Sequence, residues 1–312
     1  MTADAGRGKP WPMASLSLHD LVSAELGEAV DTRVSAMAVA IAGLYPGAAR
    51  AVLFYGSCLR ERQLEGLMLD FYLIVSDYRA AYGGSWMAPA NRLIPPNVFP
   101  FQHDGLVAKY AVLSEADFHR LNGPEPLSVS VWARFAQPSR LVWSAGPDAR
   151  SAALAAVARA APTALGAARP LFTGGDLLDL WRLAFRLTYS AELRSESKAR
   201  PDAVIESDPE RYRVFGEAAL PAAGILLDGA VPQPKRRQAE RLWAKRRRAG
   251  KALTVVRLAK ASGTYAGGID YLAWKINRHS GAGIEIKPWQ RRWPLVAALT
   301  LLPKLLRRGA IR

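Results

Sequence analysis

Three residues between positions 56 and 70 have the types and spacing of a phosphate grip: Gly56, Ser57 and Asp70. An apolar run over residues 52–55 is long enough for a buried strand and breaks at Gly56-Ser57. Without a Cβ, Gly56 lets the backbone approach a phosphate closely. Ser57 offers a hydroxyl and a backbone N–H to phosphate oxygens, helped if a helix starts there. Asp70 heads a second apolar run, residues 71–75. Its carboxylate is a hard oxygen ligand suited to Mg²⁺, which binds through one or two carboxylates plus substrate phosphates. Alternate strand residues share a face, so a second metal-binding carboxylate belongs at position 72. That position is Tyr72, and the next acid is Asp77, just past the run.

Other reactive types point elsewhere. The single Cys58 excludes an internal disulfide and fits a reducing compartment. It adjoins the turn, but no histidine is near it in sequence, and it reads as structural. His19, His103, His119 and His279 lack zinc-site spacing. The net charge of +15 over 312 residues implies an anionic partner: nucleic acid, an acidic membrane surface or phosphorylated ligands. Residues 1–14 have no apolar signal core and read as a disordered leader. No run reaches the ~18 apolar residues of a membrane-spanning helix.

Around the grip the pattern is that of a small α/β unit over residues 15–147. Helices are expected at residues 16–26 and 32–42, with Ser15 and Asp31 as N-caps and Gly43 as a stop. Strands follow at 51–55 and 70–75. Gly83-Gly84 and Pro95-Pro96 punctuate a long loop. Residues 98–102 and 106–112 form a hairpin turned at His103-Asp104-Gly105, since Asp-Gly is a strong hairpin signal. A helix at 114–121 and a strand at 139–143 complete the unit. Residues 148–232 read as helical, over 151–161, over 175–194 with Asp176 as cap, and over 208–227. From 233 the character changes. Between Pro234 and Ala252 stand nine Lys or Arg, one Glu and Trp243, a weak candidate for base stacking. Residues 287–312 pair basic clusters with a short apolar run fronted by Trp289 and Trp293. That composition suits an interfacial anchor or a helix docked on the protein's own core.

The Tyr-Gly-Ser turn, the Leu-Asp-Phe strand and the acid after it resemble the mitochondrial-type phosphatidate cytidylyltransferases, the translocator-assembly-and-maintenance family. Further segments agree in order. Lys109-Tyr110-Ala111-Val112 stands where that family has Lys-Tyr-Gly-Val/Ile. Residues 132–141 resemble its Ala-Gly-Arg-Leu-His-Lys-Pro element, keeping Arg134 and Pro138 but with Ala133, Ala136 and Gln137 for the Gly, His and Lys. Residues 187–194 resemble its Leu-Ser-Tyr-x-Gly-Asp-Phe-Arg segment, with Glu192 in the acidic place. The likeness spans residues 52–220.

The resemblance implies an α/β (α+β) nucleotidyltransferase-like domain, a mainly helical, winged-helix-like second domain and a basic, membrane-associating C-terminal tail. It implies transfer of a cytidylyl group from CTP to phosphatidic acid with Mg²⁺. Asp70 and Lys109 would be catalytic. Tyr55, Gly56, Ser57 and Arg134 would bind nucleotide, and Asp70 with Asp77 would hold metal. Glu192 and Arg194 would lie where the second domain closes over the cleft. Such a protein would be cytoplasmic and peripheral to the inner face of the membrane, with nucleic acid an unlikely partner. Two alternatives share these residues: a nucleotidyltransferase with a soluble acceptor such as an antibiotic or RNA end, and a non-catalytic RNA-binding protein on a degenerate fold.

Overall fold

The computed structural model describes residues 16–61, 64–192, 200–264 and 287–289. The chain opens with helices α1 (Leu18–Leu26) and α2 (Thr32–Gly43). Strand β1 (Ala49–Tyr55), helix α3 (Ser57–Glu61) and strand β2 (Met68–Val75) follow. Next come α4 (Tyr78–Tyr82), α5 (Met87–Leu93), the hairpin β3 (Asn97–His103) and β4 (Leu106–Ser114), and α6 (Glu115–Asn122). Helix α7 (Trp132–Phe135) and strand β5 (Ser139–Ser144) lead into the helical part. That part holds α8 (Pro147–Ala158), α9 (Ala160–Ala168), α10 (Leu177–Ala191), α11 (Arg200–Glu206), α12 (Pro209–Ala222) and α13 (Gln233–Thr264).

Local chemistry accounts for most boundaries. Asp31, Ser114, Asp176 and Asp208 each accept a backbone N–H at a helix start, and Asp176 forms a full capping box with Asp179. The first helix is capped by Ser17 rather than by the expected Ser15. Asp104 and Gly105, at φ 47° and 75°, make the tight turn between β3 and β4 that Asp-Gly favours. The expected long loop after β2 instead carries α4 and α5. Asn91 on α5 donates to the Val112 carbonyl at 2.9 Å and pins that segment to the sheet.

The five strands form one mixed sheet in the order β3-β4-β2-β1-β5. Strands β2 and β4 run parallel; the other neighbours are antiparallel. Both faces are covered, which is why β2 reads as a nearly continuous apolar run. Val52, Phe54, Phe71, Leu73 and Val112 pack with Val34, Met37 and Ile41 of α2. Leu53, Tyr72, Ile74, Ala111 and Leu113 face the other way, into one continuous core with α1 and α6 to α12. The boundary expected at residue 147 is therefore not a break in packing. Residues 147–171 are long and apolar enough to cross a membrane by composition, but 56% of that window is buried inside the fold.

Two expectations about the rest of the chain are corrected. The described residues between 148 and 264 contain no strand, so the described part of that region has no β wing. And residues 233–264, expected as the start of a basic, membrane-associating tail, form helix α13, which packs on the rest of the fold. Helix α13 is built into the molecule by a stripe of Ala239, Trp243, Arg246 and Gly250. Trp243 is 1% exposed, meets Trp132 edge-on at 6.4 Å and donates its indole N–H to the Ala167 carbonyl at 2.9 Å. It offers no surface for a base. Burying an indole is worth up to about 4–6 kcal/mol at ~25 cal/mol per Å². Repulsion between like charges a turn apart on the exposed side costs ~0.2–0.5 kcal/mol per pair, so burial holds the helix in place. Gly250 lies so close to α10 that a Cβ there would sit 2.0 Å from the Ala191 carbonyl oxygen. The expected leader (1–14), Arg194 and nearly all of 265–312 lie outside the described residues.

Candidate functional site

The site lies where β1 ends and β2 begins, on the face turned toward the helices. In the register, Asp70 is paired with Tyr55 of β1 on one side and Lys109 of β4 on the other. Strand alternation then puts Tyr55, Asp70, Tyr72, Lys109 and Ala111 on one face. The Lys109 ammonium lies 2.7 Å from Asp70 Oδ1, with both side chains partly open to solvent. Gly56 passes directly over the carboxylate at φ 100°, and a Cβ there would stand 3.0 Å from Asp70 Oδ2. A side chain at 56 would be strained in backbone and in space alike, so the glycine is required by this close approach. Ser57 starts α3, which has only five residues. Local N–H groups and the Ser57 hydroxyl, more than a helix dipole, are what the turn can offer a phosphate.

Beside the turn is a cavity of about 170 Å³ lined by Tyr55, Tyr72, Lys109, Ser130 and Arg134 from the α/β part and by Arg257 and Lys260 from α13. Pro96, Val98 and Ala111 give it an apolar wall. The position where a second carboxylate would share Asp70's face is filled by the ring of Tyr72. That ring packs at 5.3 Å from Tyr55 and 5.2 Å from Phe135. Burial raises the pKa of both tyrosines, and for Tyr55 the Asp70 charge adds to the effect. Both phenols stay neutral and can act as hydrogen-bond donors.

Arg134 is half-buried on α7 and donates to the Ser130 carbonyl. Glu192, at the end of α10, lies 3.8 Å from it. Burial works against the Arg134 charge, but Glu192, Tyr72, Tyr55 and Asp70 leave its pKa raised. Arg257 reaches over from α13, each of its three nitrogens making one hydrogen bond. Nε donates to the Pro95 carbonyl at 2.8 Å, and the two terminal nitrogens donate to Ser130 Oγ at 3.1 Å and Ser128 Oγ at 3.3 Å. Lys260 donates to the Ile94 carbonyl. Burial, reinforced by the neighbouring Arg257, pulls the Lys260 pKa down to about 7.

Of the residues singled out in the sequence, Tyr55, Gly56, Ser57, Asp70, Lys109, Arg134 and Glu192 come together here. Asp77 does not. It sits past the opposite end of β2, where its carboxylate caps α4 by accepting from the N–H groups of Arg79 (2.8 Å) and Ala80 (2.9 Å). A metal shared by Asp70 and Asp77 is ruled out by the length of the strand between them. The described residues contain no cluster of three His, Cys, Asp or Glu able to hold a metal. At the turn Asp70 is the single carboxylate, and its Oδ1 is already held by the Lys109 ammonium. That donor set does not fit a resident Mg²⁺; an ion arriving on a triphosphate would be part of the substrate.

Arg257 and Lys260 were missed by sequence reasoning. Their signal is their setting: two cations three residues apart among Val255, Val256, Leu258 and Ala259, just past the run of basic residues. No protein-family model matches the chain, and no curated protein does. Among solved structures, a nucleotidyltransferase-like protein from Exiguobacterium sibiricum is similar at 10% identity and a TM-score of 0.28, over 88% of this chain and 92% of that one. At that TM-score the likeness carries no argument about fold or function.

Proposed function

We propose that this cleft transfers a nucleotidyl group from a nucleoside triphosphate to a phosphate-bearing acceptor. The observation that carries the reading is the meeting of Gly56 with Asp70 and Lys109 at the mouth of a cation-lined cavity. A cavity of 170 Å³ is smaller than the ~300–1,000 Å³ of pockets that enclose a whole ligand. The nucleotide therefore lies partly outside it, with its phosphates over the Gly56–Ser57 turn. Lys109 neutralises charge on the phosphate undergoing attack, and Asp70 positions Lys109. An acceptor phosphate oxygen attacks the α-phosphorus, the bond to the bridging oxygen of the β-phosphate breaks, and pyrophosphate leaves with that electron pair. A phosphate monoester has its second pKa near ~6 and is already anionic at neutral pH, so no strong general base is needed. Catalysis is then positioning and charge neutralisation.

The finer reading is CTP as donor and phosphatidic acid as acceptor, giving CDP-diacylglycerol at an anionic membrane surface on the cytoplasmic side. It rests on the sequence resemblance. The exposed cations of α13, Lys235, Arg237, Arg241, Lys245, Arg248 and Lys251 among them, support it. Each basic residue near such a surface contributes about 1 kcal/mol. The test is a screen of labelled nucleoside triphosphates with Mg²⁺ against phosphatidic acid vesicles, soluble phosphomonoesters and hydroxylated acceptors. Labelled CDP-diacylglycerol is expected. Product with a soluble acceptor alone would reject the lipid reading, and no product with any acceptor would reject nucleotidyl transfer.

A further inference from the structure

Among the described residues, the cations lining the cavity outnumber the acids beside them. Four cationic side chains line it: Lys109, Arg134, Arg257 and Lys260. Asp70 answers Lys109 at 2.7 Å, and Glu192 answers Arg134 at 3.8 Å. The direct hydrogen bonds of Arg257 and Lys260 go to neutral acceptors, the Pro95 and Ile94 carbonyls and the Ser128 and Ser130 hydroxyls, and Glu192, already beside Arg134, acts on Arg257 only through space. Among the described residues neither has an ion-pair partner. Half-buried cations without a carboxylate are costly unless an anion arrives to share the space. The lowered Lys260 pKa is the protein's response when none is present.

We propose that Arg257 and Lys260 bind the phosphate monoester end of the acceptor, at a pole of the cavity separate from the Gly56–Ser57 turn that takes the nucleotide. This rests on the nucleotidyl-transfer reading and adds the residues that hold the acceptor. Two cations without an ion-pair partner of their own among the described residues match a monoester dianion better than a diester with one charge. The three hydrogen bonds fix the plane of the Arg257 guanidinium before the ligand arrives, so little side-chain entropy is lost on binding. The apolar wall of Pro96, Val98 and Ala111 suits the uncharged carbon side of the ester. Because α13 supplies both cations, the acceptor site exists only while that helix is docked.

The test is calorimetric, on the full chain. Glycerol 3-phosphate and CTP are titrated separately into the wild type and into Arg257→Gln, Lys260→Gln and the conservative Arg257→Lys. Thermal melts confirm that each variant is folded. Both Gln variants are expected to weaken glycerol 3-phosphate at least tenfold while CTP binding changes less than threefold, and Arg257→Lys recovers part of the loss. Flotation with phosphatidic acid vesicles against phosphatidylglycerol vesicles separates a lipid source from a soluble one. Variant-sensitive preference for phosphatidic acid supports a lipid monoester. Tenfold weakening confined to glycerol 3-phosphate, with equal flotation on both lipids, supports a soluble one. Unchanged glycerol 3-phosphate affinity, or an equal loss for CTP, overturns the assignment. A wild type that binds no triphosphate defeats the nucleotidyl-transfer reading, whatever the monoester does.

Discussion

Two ion pairs of like chemistry stand in opposite settings. Arg211 of α12 and Glu25 of α1 are 2% and 3% exposed, joined through both Nε and the terminal nitrogen, the latter bond 2.9 Å long. Arg211 also donates to the Ala136 carbonyl at 3.2 Å and lies 4.2 Å from the Phe215 ring centre. Burial alone would lower its pKa, yet the Glu25 charge leaves it raised. Lys109 and Asp70 are 27% and 20% exposed, at the mouth of a cavity with surplus positive charge. The first pair is sealed, neutral and satisfied, so it joins α1 to α12. The second is partly open, and among the described residues the cations around it outnumber the acids, so a ligand can reach it. Burial alone does not separate structural charge from functional charge; the balance among neighbours does.

The comparison can be broken most directly at Arg211. Removing one partner of a buried pair costs ~3–5 kcal/mol, a large part of a domain's ~5–15 kcal/mol. Arg211→Met should therefore lower the denaturation midpoint steeply. Replacing both partners, Glu25→Met with Arg211→Met, should recover most of that loss. A single variant as stable as the wild type would refute the structural role. Next is Asp70→Asn, which should reduce turnover by about 10²-fold or more, as loss of one preorganised charge contact does. Its melting should move less than that of Arg211→Met, because both side chains keep some contact with solvent. An Asp70 variant that unfolds, or that turns over normally, would erase the contrast.

The smallest effect concerns Lys260. Unfolded, it holds its proton up to about the ordinary lysine value of 10.5; folded, only up to about 7. Between those pH values the unfolded chain binds more protons, so stability rises with pH through that window. The penalty is full below pH 7 and gone above 10.5. Lys260→Met should stabilise the chain relative to wild type at pH 6.5 and not at pH 10.5, read by denaturant midpoints. An anion in the cavity should shrink the difference. A pH-independent gap would mean that Lys260 is not desolvated there.

Much of this arrangement was legible in the chain. The break at Gly56-Ser57, the Asp104-Gly105 hairpin and the caps at Asp31, Ser114, Asp176 and Asp208 are local signals read by local chemistry. The sheet order was not, because parallel pairing of β2 with β4 is a tertiary choice. Asp77 was misread for a related reason: an acid after a strand suits a ligand and a cap equally, and α4 is too short to announce itself. The basic stretch misled most. Composition describes a helix all the way round, whereas Trp243 and Arg257 act through the face they present.

The glycine at position 250 has a mechanical corollary. It permits α13 and α10 to touch backbone to backbone, and Arg257 follows two turns later, on the same side of the helix. Any larger residue at 250 would act as a wedge, tilting the helix and swinging its far end outward. The guanidinium and the ammonium would then be withdrawn from the cleft, although neither had been altered. Affinity for the acceptor is thus set partly by the thickness of a helix crossing roughly 10 Å from Arg257, at ~1.5 Å per residue.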